Sequence, residues 1–237
     1  GKRRIIHDRY MCMAHFEIEI KSLLGKQEHA DALREKLQTL LEPARLVRKS
    51  SQLNHYFLVG DWEKFLKSVQ IHLSAEHFDH LRRIVQEGTN HSVRTRQSDG
   101  KVLLVVKASL DDLTSSNGVS RMEFEEPVPN LSLDDLDALL LESGFQYQAK
   151  WSRDREEYKV GDIAVCLDRN AGYGYVAEFE KIIHEASEAE MTKREILEFM
   201  NGLGVEELPQ DRLERMFAYY NAHWSDYYGT DNIFVID

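Results

Sequence analysis

The sequence predicts an α+β fold: about eight antiparallel strands, helices packed outside them, and a helical C-terminal extension. Three observations lead there. Seven short motifs carry charges that step by two through apolar runs. A strand turns successive side chains to opposite faces. Glu17, Glu19 and Lys21 therefore share one face, each roughly 6.6 Å from the next, while Phe16, Ile18 and Ile20 cover the other. The same step recurs at Arg94/Arg96, Lys101 to Lys107, Arg121/Glu123/Glu125, Arg153/Arg155, Asp162 to Asp168 and Glu178/Glu180. Apolar stretches of helical period, bounded by capping and stop residues, separate the strand-like runs, and the last fifth of the chain is helical throughout. Any one charged motif alone reads as a half-buried strand with polar residues in water. The series reads differently: strands closed into a barrel, charged faces inward, would gather carboxylates and bases in one wet lumen and leave the apolar faces outward under helices. An open α+β sheet with one charged, solvated face satisfies the same periodicity, which by itself does not choose.

The elements follow in order. A strand near 14–24 leads into a helix from Lys26 to Leu41, where Leu33, Leu37, Leu40 and Leu41 keep helical spacing until Pro43. A second strand occupies 45–59 and breaks at Gly60-Asp61. Asp61 caps a helix carrying Trp62, Phe65, Leu66 and Val69, and Ser74 caps another carrying Phe78, Leu81, Ile84 and Val85, stopped by Gly88. This pair is expected to brace the outside of the sheet. Strands near 91–97 and 101–108 flank Asp99-Gly100, a hairpin signal. The polar run Asp111 to Gly118 is a loop before a strand at 119–126 that Pro127 and Pro129 end. Ser132 with Asp135 starts a helix striped by Leu133, Leu136, Leu139 and Leu140 up to Gly144. Strands near 145–158, 162–168 and 174–183 complete the sheet, with Gly172 and Gly174 permitting a tight reversal. In the tail, Thr192 and Glu195 form a capping box, and Leu213, Met216, Phe217 and Tyr220 a core face.

Composition narrows the function. The net charge is -11 over 237 residues; residues 182–237 hold 12 acidic and 4 basic side chains, against 29 and 26 in the rest. An acidic chain without a basic stripe is a poor nucleic-acid binder. Cys12 and Cys166 lack the spacing of a disulfide framework or zinc knuckle. No stretch approaches the roughly 18 apolar residues of a membrane span, and Lys2-Arg3-Arg4 has no apolar signal core after it. A reduced, cytoplasmic setting is expected, with no nucleic-acid and no membrane partner. Among the ten histidines only His72, His77 and His80 cluster, and a solvated helix face explains them.

The ordered motifs resemble a known family. Glu-x-Glu-x-Lys at 17–21, Arg-x-Arg at 94–96, Lys107, Ser120-Arg121-x-Glu123-x-Glu125, Arg153-x-Arg155 with Tyr158, Leu167-Asp168, and Gly172-x-Gly174 before Glu178-x-Glu180 are together similar to the CYTH superfamily, the triphosphate tunnel metalloenzymes. That superfamily includes class IV adenylyl cyclases, thiamine triphosphatases and inorganic triphosphatases. The resemblance implies a closed eight-stranded antiparallel tunnel over residues 14–183, with residues 184–237 as an acidic helical extension packed on it.

It also implies a site. Lys21, Arg94, Arg96, Lys107, Arg121, Arg153 and Arg155 would grip the oxygens of a small-molecule triphosphate, the arginines by planar contacts that lysine cannot copy. Glu17, Glu19, Glu123, Glu125, Asp168, Glu178 and Glu180 offer hard oxygen ligands suited to Mg²⁺ or Mn²⁺. Not all can bind at once, so some would orient bases; Glu123 and Glu125 are open between ligand and arginine partner. Tyr56, set opposite Lys107, could help deprotonate a water, or simply pack beside Phe57. Cys166 shares a face with Asp168 as a small filler. The expected activity is metal-dependent hydrolysis of inorganic, thiamine or nucleoside triphosphate, since no aromatic-and-amide pocket for adenine is visible. Class IV adenylyl cyclase is the alternative, and Asn54 in Gln52-Leu53-Asn54-His55-Tyr56, where the family often has Asp, bears on that choice. A non-catalytic polyphosphate or nucleotide sensor is a third reading. Trp224, Tyr227 and Tyr228 could plug a tunnel mouth, pack on its wall, or bind a partner subunit in a homodimer.

Overall fold

The computed structural model describes residues 16–109 and 121–237, the side chain of Arg121 excepted. Cys12, the start of the first strand and the expected loop at 111–118 lie outside the described residues. Eight antiparallel strands, β1 (Phe16–Gly25), β2 (Arg45–Leu58), β3 (Thr89–Ser98), β4 (Lys101–Ser109), β5 (Arg121–Pro127), β6 (Gln146–Val160), β7 (Ile163–Asn170) and β8 (Gly174–Ile183), form one sheet in the order β1-β8-β7-β6-β2-β3-β4-β5. The β3–β4 reversal is the expected hairpin, with Asp99 at φ 50 and Gly100 at φ 76.

The closed tunnel is not confirmed. β1 and β5 end the hydrogen-bonded order of the sheet and share no ladder among the described residues. Its two ends meet through side chains instead. Lys107 Nζ on β4 lies 3.3 Å from Glu17 on β1 and 3.5 Å from Glu123 on β5. Ion pairs bridge the gap that backbone hydrogen bonds would otherwise fill.

Helices α1 (Gln27–Gln38), α2 (Trp62–Val69), α3 (Ala75–Glu87), α4 (Leu133–Glu142), α5 (Ala189–Gly202) and α6 (Gln210–Tyr227) cover the outward faces and one flank of the sheet. Caps set three of their starts: Asp61 accepts from Lys64 N, Ser74 from His77 N, and Ser132 with Asp135 forms a full capping box. Phe65, Leu81, Ile84, Leu136 and Leu140 of α2, α3 and α4 bury the outer face of β3, β4 and β5, against Val93, Leu104, Val106 and Phe124. Leu33 and Leu37 of α1 and Ile196 and Met200 of α5 do the same for Ile18, Ile20, Val165 and Phe179. Each such buried side chain stabilises the fold by roughly 1.5–3 kcal/mol.

Two local expectations fail. α1 ends at Gln38, with Thr39 as its cap, so Leu41 stands fully exposed beyond it; the chain before a proline leaves helical geometry. α5 begins three residues before Thr192, which is buried within the helix, while Glu195 pairs with Lys181. The reciprocal cap lies upstream, between Glu185 and Glu188. His77 and His80 set their ring edges against Phe124, 6.4 and 5.5 Å between centroids, and form no metal cluster. Among the described residues no helix is long and apolar enough to cross a membrane.

The C-terminal segment packs on the sheet. Gly172, in the β7–β8 turn at φ 78, donates from its N to Asn232 O (3.0 Å) and accepts from Phe234 N (2.8 Å). A Cβ there would lie 2.8 Å from the Tyr220 ring, which is wholly buried. Tyr228 Oη sits 3.2 Å from His55 Nε2, at the end of a buried network in which Asp137 meets His55 Nδ1 (2.7 Å) and accepts from Tyr147 (2.6 Å) and Thr95 (2.6 Å). Trp224 lies over Lys150, and Tyr227 against Tyr219 and Phe234. Trp224, Tyr227 and Tyr228 therefore all contact side chains of the protein itself.

Two predictions follow from these contacts. Asp137→Ala leaves buried His55 and Thr95, and half-buried Tyr147, without their acceptor and should lower unfolding stability by roughly 3 kcal/mol; a shift in the urea midpoint worth under about 1 kcal/mol would show the network to be dispensable. Gly172→Ala should destabilise by roughly 2 kcal/mol, read as a lowered Tm. Gly202→Ala, at a helix end with nothing within 4 Å of the new Cβ, should not.

Candidate functional site

The inward rows of all eight strands line one cavity of about 700 Å³. β1 contributes Glu17, Glu19 and Lys21; β8 Glu178 and Glu180; β6 Arg153 and Arg155. β2 and β3 contribute Tyr56, Arg94 and Arg96; β4 and β5 contribute Lys107, Glu123 and Glu125. Period two is what delivers them, since each motif's alternate residues must share a face. Asp168 is different. It is 1 % exposed, behind the lining, where Arg155 forks onto it at 2.7 and 2.6 Å and Arg153 approaches to 3.5 Å. The Arg121 side chain is outside the described part.

Bases and acids compensate each other across neighbouring strands. Arg155 also donates to Glu178 at 2.7 Å, and Lys21 pairs with Glu19 and lies 3.5 Å from Glu178. Although burial opposes charge on both groups, Arg155 holds Glu178 well below the usual carboxylate range, and Glu178 with Asp168 raises Arg155 well above the usual guanidinium value. Arg96 donates to Asn54 (2.7 Å) and to Glu125. Burial, with the positive charges of Arg94 and Arg153, pulls Arg96 below its ordinary value, the mark of a place that favours an anion. Arg153 Nε donates to Gln52 at 2.8 Å. Arg94 Nε is buried and makes no hydrogen bond within the protein.

Opposite these bases the carboxylates crowd. Glu17, Glu19 and Glu180 each place an oxygen within 4.8 Å of the others. Burial disfavours ionised Glu17, but Lys107 and hydrogen bonds from Glu180 and Glu123 outweigh it and hold Glu17 at about 2. Burial and the neighbouring Glu17 charge push Glu180 up to about 9 and Glu123 up to about 8. The group has more carboxyls than Lys107 alone can keep ionised. An all-oxygen set of that kind fits a hard divalent cation such as Mg²⁺ or Mn²⁺.

Tyr56 does not face Lys107. It pairs with Arg94 across β2 and β3, and Lys107 with Ser92 across β3 and β4, because β3 lies between them. The Tyr56 hydroxyl accepts a hydrogen bond from Arg94. Burial raises its phenol, but Arg94, Arg153 and Arg96 overcome that and lower it to about 8. Cys166 lines the cavity with its thiol pushed up to about 12 by burial, which suits a filler and not a nucleophile.

The pattern also missed residues. Gln52 and Asn54, buried partners of Arg153 and Arg96, alternate with Tyr56 and were legible as part of its row. Trp151, Tyr173, Val176, Leu208, Leu213 and Phe217 form an apolar and aromatic side of the same cavity, beside the amides Gln148, Asn170 and Asn221. The sequence alone shows no aromatic-and-amide pocket for adenine; the fold assembles aromatic and amide side chains along one cavity wall. Its members come from β6, β7, the β7–β8 turn, β8, the α5–α6 connection and α6, and no local signal joins them.

Comparison places this architecture. A conserved hypothetical protein from Pyrococcus furiosus superposes with a TM-score of 0.60 at 21% identity, covering 84% of this chain and 98% of that one. PH1012 from Pyrococcus horikoshii gives 0.59 at 20% identity, over 82% and 95%. A candidate adenylate cyclase from Vibrio parahaemolyticus gives 0.55 at 12% identity, over 86% and 98%. These likenesses show a shared fold. No curated protein matches the chain. The CYTH domain profile matches residues 15–212. With that match spanning most of its length, the chain belongs to the CYTH domain family.

Proposed function

We propose that the protein hydrolyses a triphosphate-containing substrate with the help of a divalent cation. One observation carries this reading: Lys21, Arg94, Arg96, Lys107, Arg153 and Arg155 line the same cavity as the Glu17, Glu19 and Glu180 cluster. A polyphosphate leaves water only where bases and cations replace its hydration. The unpartnered Arg94 Nε and the crowding that lowers Arg96 both favour an anion between them.

Mg²⁺ or Mn²⁺ held by Glu17, Glu19 and Glu180 would neutralise phosphate charge and align substrate oxygens. The chain's own groups do the rest by position. Arg94, Arg96 and Arg153 grip the phosphate oxygens, and Lys107 supplies charge next to the carboxylates. Asp168, Gln52 and Asn54 orient the arginines that they bind. Tyr56, surrounded by arginines, orients Arg94. Water adds to the terminal phosphorus as its bond to the bridging oxygen breaks, and orthophosphate leaves. A pure anion sensor would gain little from so many carboxylates.

Phosphorus NMR of products from inorganic triphosphate, thiamine triphosphate and ATP, each with Mg²⁺ or Mn²⁺, tests the reaction. Orthophosphate is expected; cyclic AMP with pyrophosphate would make the protein a cyclase, and binding without turnover a sensor. Glu180→Gln should weaken Mn²⁺ binding at least roughly tenfold by calorimetry and abolish turnover; unchanged Mn²⁺ affinity would remove Glu180 from the cation site. The Tyr56 phenol yields a pH prediction. As pH rises through about 8 it ionises, cancels one positive charge beside Arg94, and weakens binding of inorganic triphosphate. Tyr56→Phe should flatten that decline, and a decline that persists unchanged in the variant would refute the assignment.

A further inference from the structure

The cavity is divided, and the division bears on the substrate. Along β6 its wall changes from Trp151 to Arg153 and Arg155; along β8, from Val176 to Glu178 and Glu180. The apolar side is completed by Tyr173 from the β7–β8 turn and by Leu213 and Phe217 of α6. Tyr220 stacks on one face of the Trp151 indole, centroids 3.5 Å apart, and Tyr173 stands edge-on to it at 4.6 Å. The two aromatic side chains are therefore braced as a wall. Phe217, 38% exposed, stands 6.3 Å from Trp151 and 6.0 Å from Tyr173. The buried Tyr173 hydroxyl has no hydrogen-bond partner within the protein. Leaving such a group unpaired is unfavourable, and its ring borders the cavity, so the cavity is where an acceptor can come from. Gln148 and Asn221 add amide donors and acceptors to this side.

A phosphate chain has no use for such a wall. We infer that this compartment holds the head group of an organic triphosphate, a planar heteroaromatic ring with hydrogen-bonding edges, and that Phe217, Trp151 and Tyr173 select it over inorganic triphosphate. A volume of about 700 Å³ suits a ligand of that size. Aromatic walls bind a flat ring by stacking or edge contact, and amides read its edges. The inference rests on the triphosphate reading of the charged side.

Calorimetric titration of the intact protein with inorganic triphosphate, ATP and thiamine triphosphate separates the two. At least one heteroaromatic triphosphate should bind about tenfold or more tightly than inorganic triphosphate; which one identifies a purine or a thiamine head. Phe217→Ser should remove most of that preference. Tyr173→Phe, which keeps the ring and its packing, should lose several-fold for the preferred ligand. Inorganic triphosphate should change less than about twofold in both. Equal affinity for all three ligands, or equal losses for all three in the variants, would overturn the head-group compartment while leaving the phosphate site standing. If none of the three binds, the triphosphate reading itself falls.

Discussion

A strand cannot hide both of its faces in the same medium, and this constraint organises the protein. Because charges occupy every second position, one face of the sheet carries carboxylates and bases while the other is almost wholly apolar. The apolar face must be covered, and α1 to α5 cover it. The charged face must either reach bulk water or compensate itself. Curling the sheet until β1 approaches β5 commits it to the second course, and partner choice then becomes decisive. Removing either member of a buried pair strands the other. Arg155 shows how tightly this is drawn: it holds Asp168 and Glu178 together across β6, β7 and β8. The open ladder between β1 and β5 is tolerable for the same reason, since Lys107 joins their carboxylates where no backbone bond does.

Compensation is uneven, and the unevenness is where chemistry becomes available. Around Arg155 the charges compensate one another, with Asp168 and Glu178 both paired to it. Around Arg94, Arg96 and Arg153 positive charge is in excess. Around Glu17, Glu123 and Glu180 carboxyl groups outnumber bases, and burial with the neighbouring Glu17 charge pushes Glu123 and Glu180 above the usual carboxylate range. A ligand that brings phosphate to the first place and a cation to the second relieves both excesses together. That complementarity supports a triphosphate and a metal acting as a pair in one cavity.

Much of this was legible because it is written at period two or at helix ends. The inward rows of β1, β6 and β8, the Asp99-Gly100 hairpin and the caps at Asp61, Ser74 and Ser132 all depend on residues close in sequence. What escaped depends on strand order and tertiary packing. Tyr56 was set against Lys107 because nothing in the sequence says that β2 sits between β6 and β3. Closure is not legible, because it turns on whether two end strands hydrogen-bond, a property of no single segment. The Thr192 box was misread because an upstream turn at Glu185–Glu188 let α5 start early. The aromatic wall escaped for the plainest reason: Trp151, Tyr173 and Phe217 meet only after α6 folds back over β6 and the β7–β8 turn.

Arg94 ties the parts of the cavity together. Its guanidinium donates to Tyr56, whose ring lies 6.5 Å from Trp151 on the aromatic side, and the charges of Glu125 and Glu123 act on it from the carboxylate side. A substrate with its ring against Trp151 and its first phosphate near Arg94 would extend its remaining phosphates away from the aromatic wall, toward Lys107 and Glu17. The cation site would then serve the terminal phosphoryl group and not the one next to the ring. Cyclisation needs charge neutralised at the phosphorus nearest the ribose, whereas hydrolysis needs it at the far end. On the proposed reading, the order aromatic wall, arginines, carboxylate cluster would favour removal of the terminal phosphate. In that reading Arg94, which belongs to both neighbourhoods, would set the direction in which the substrate lies.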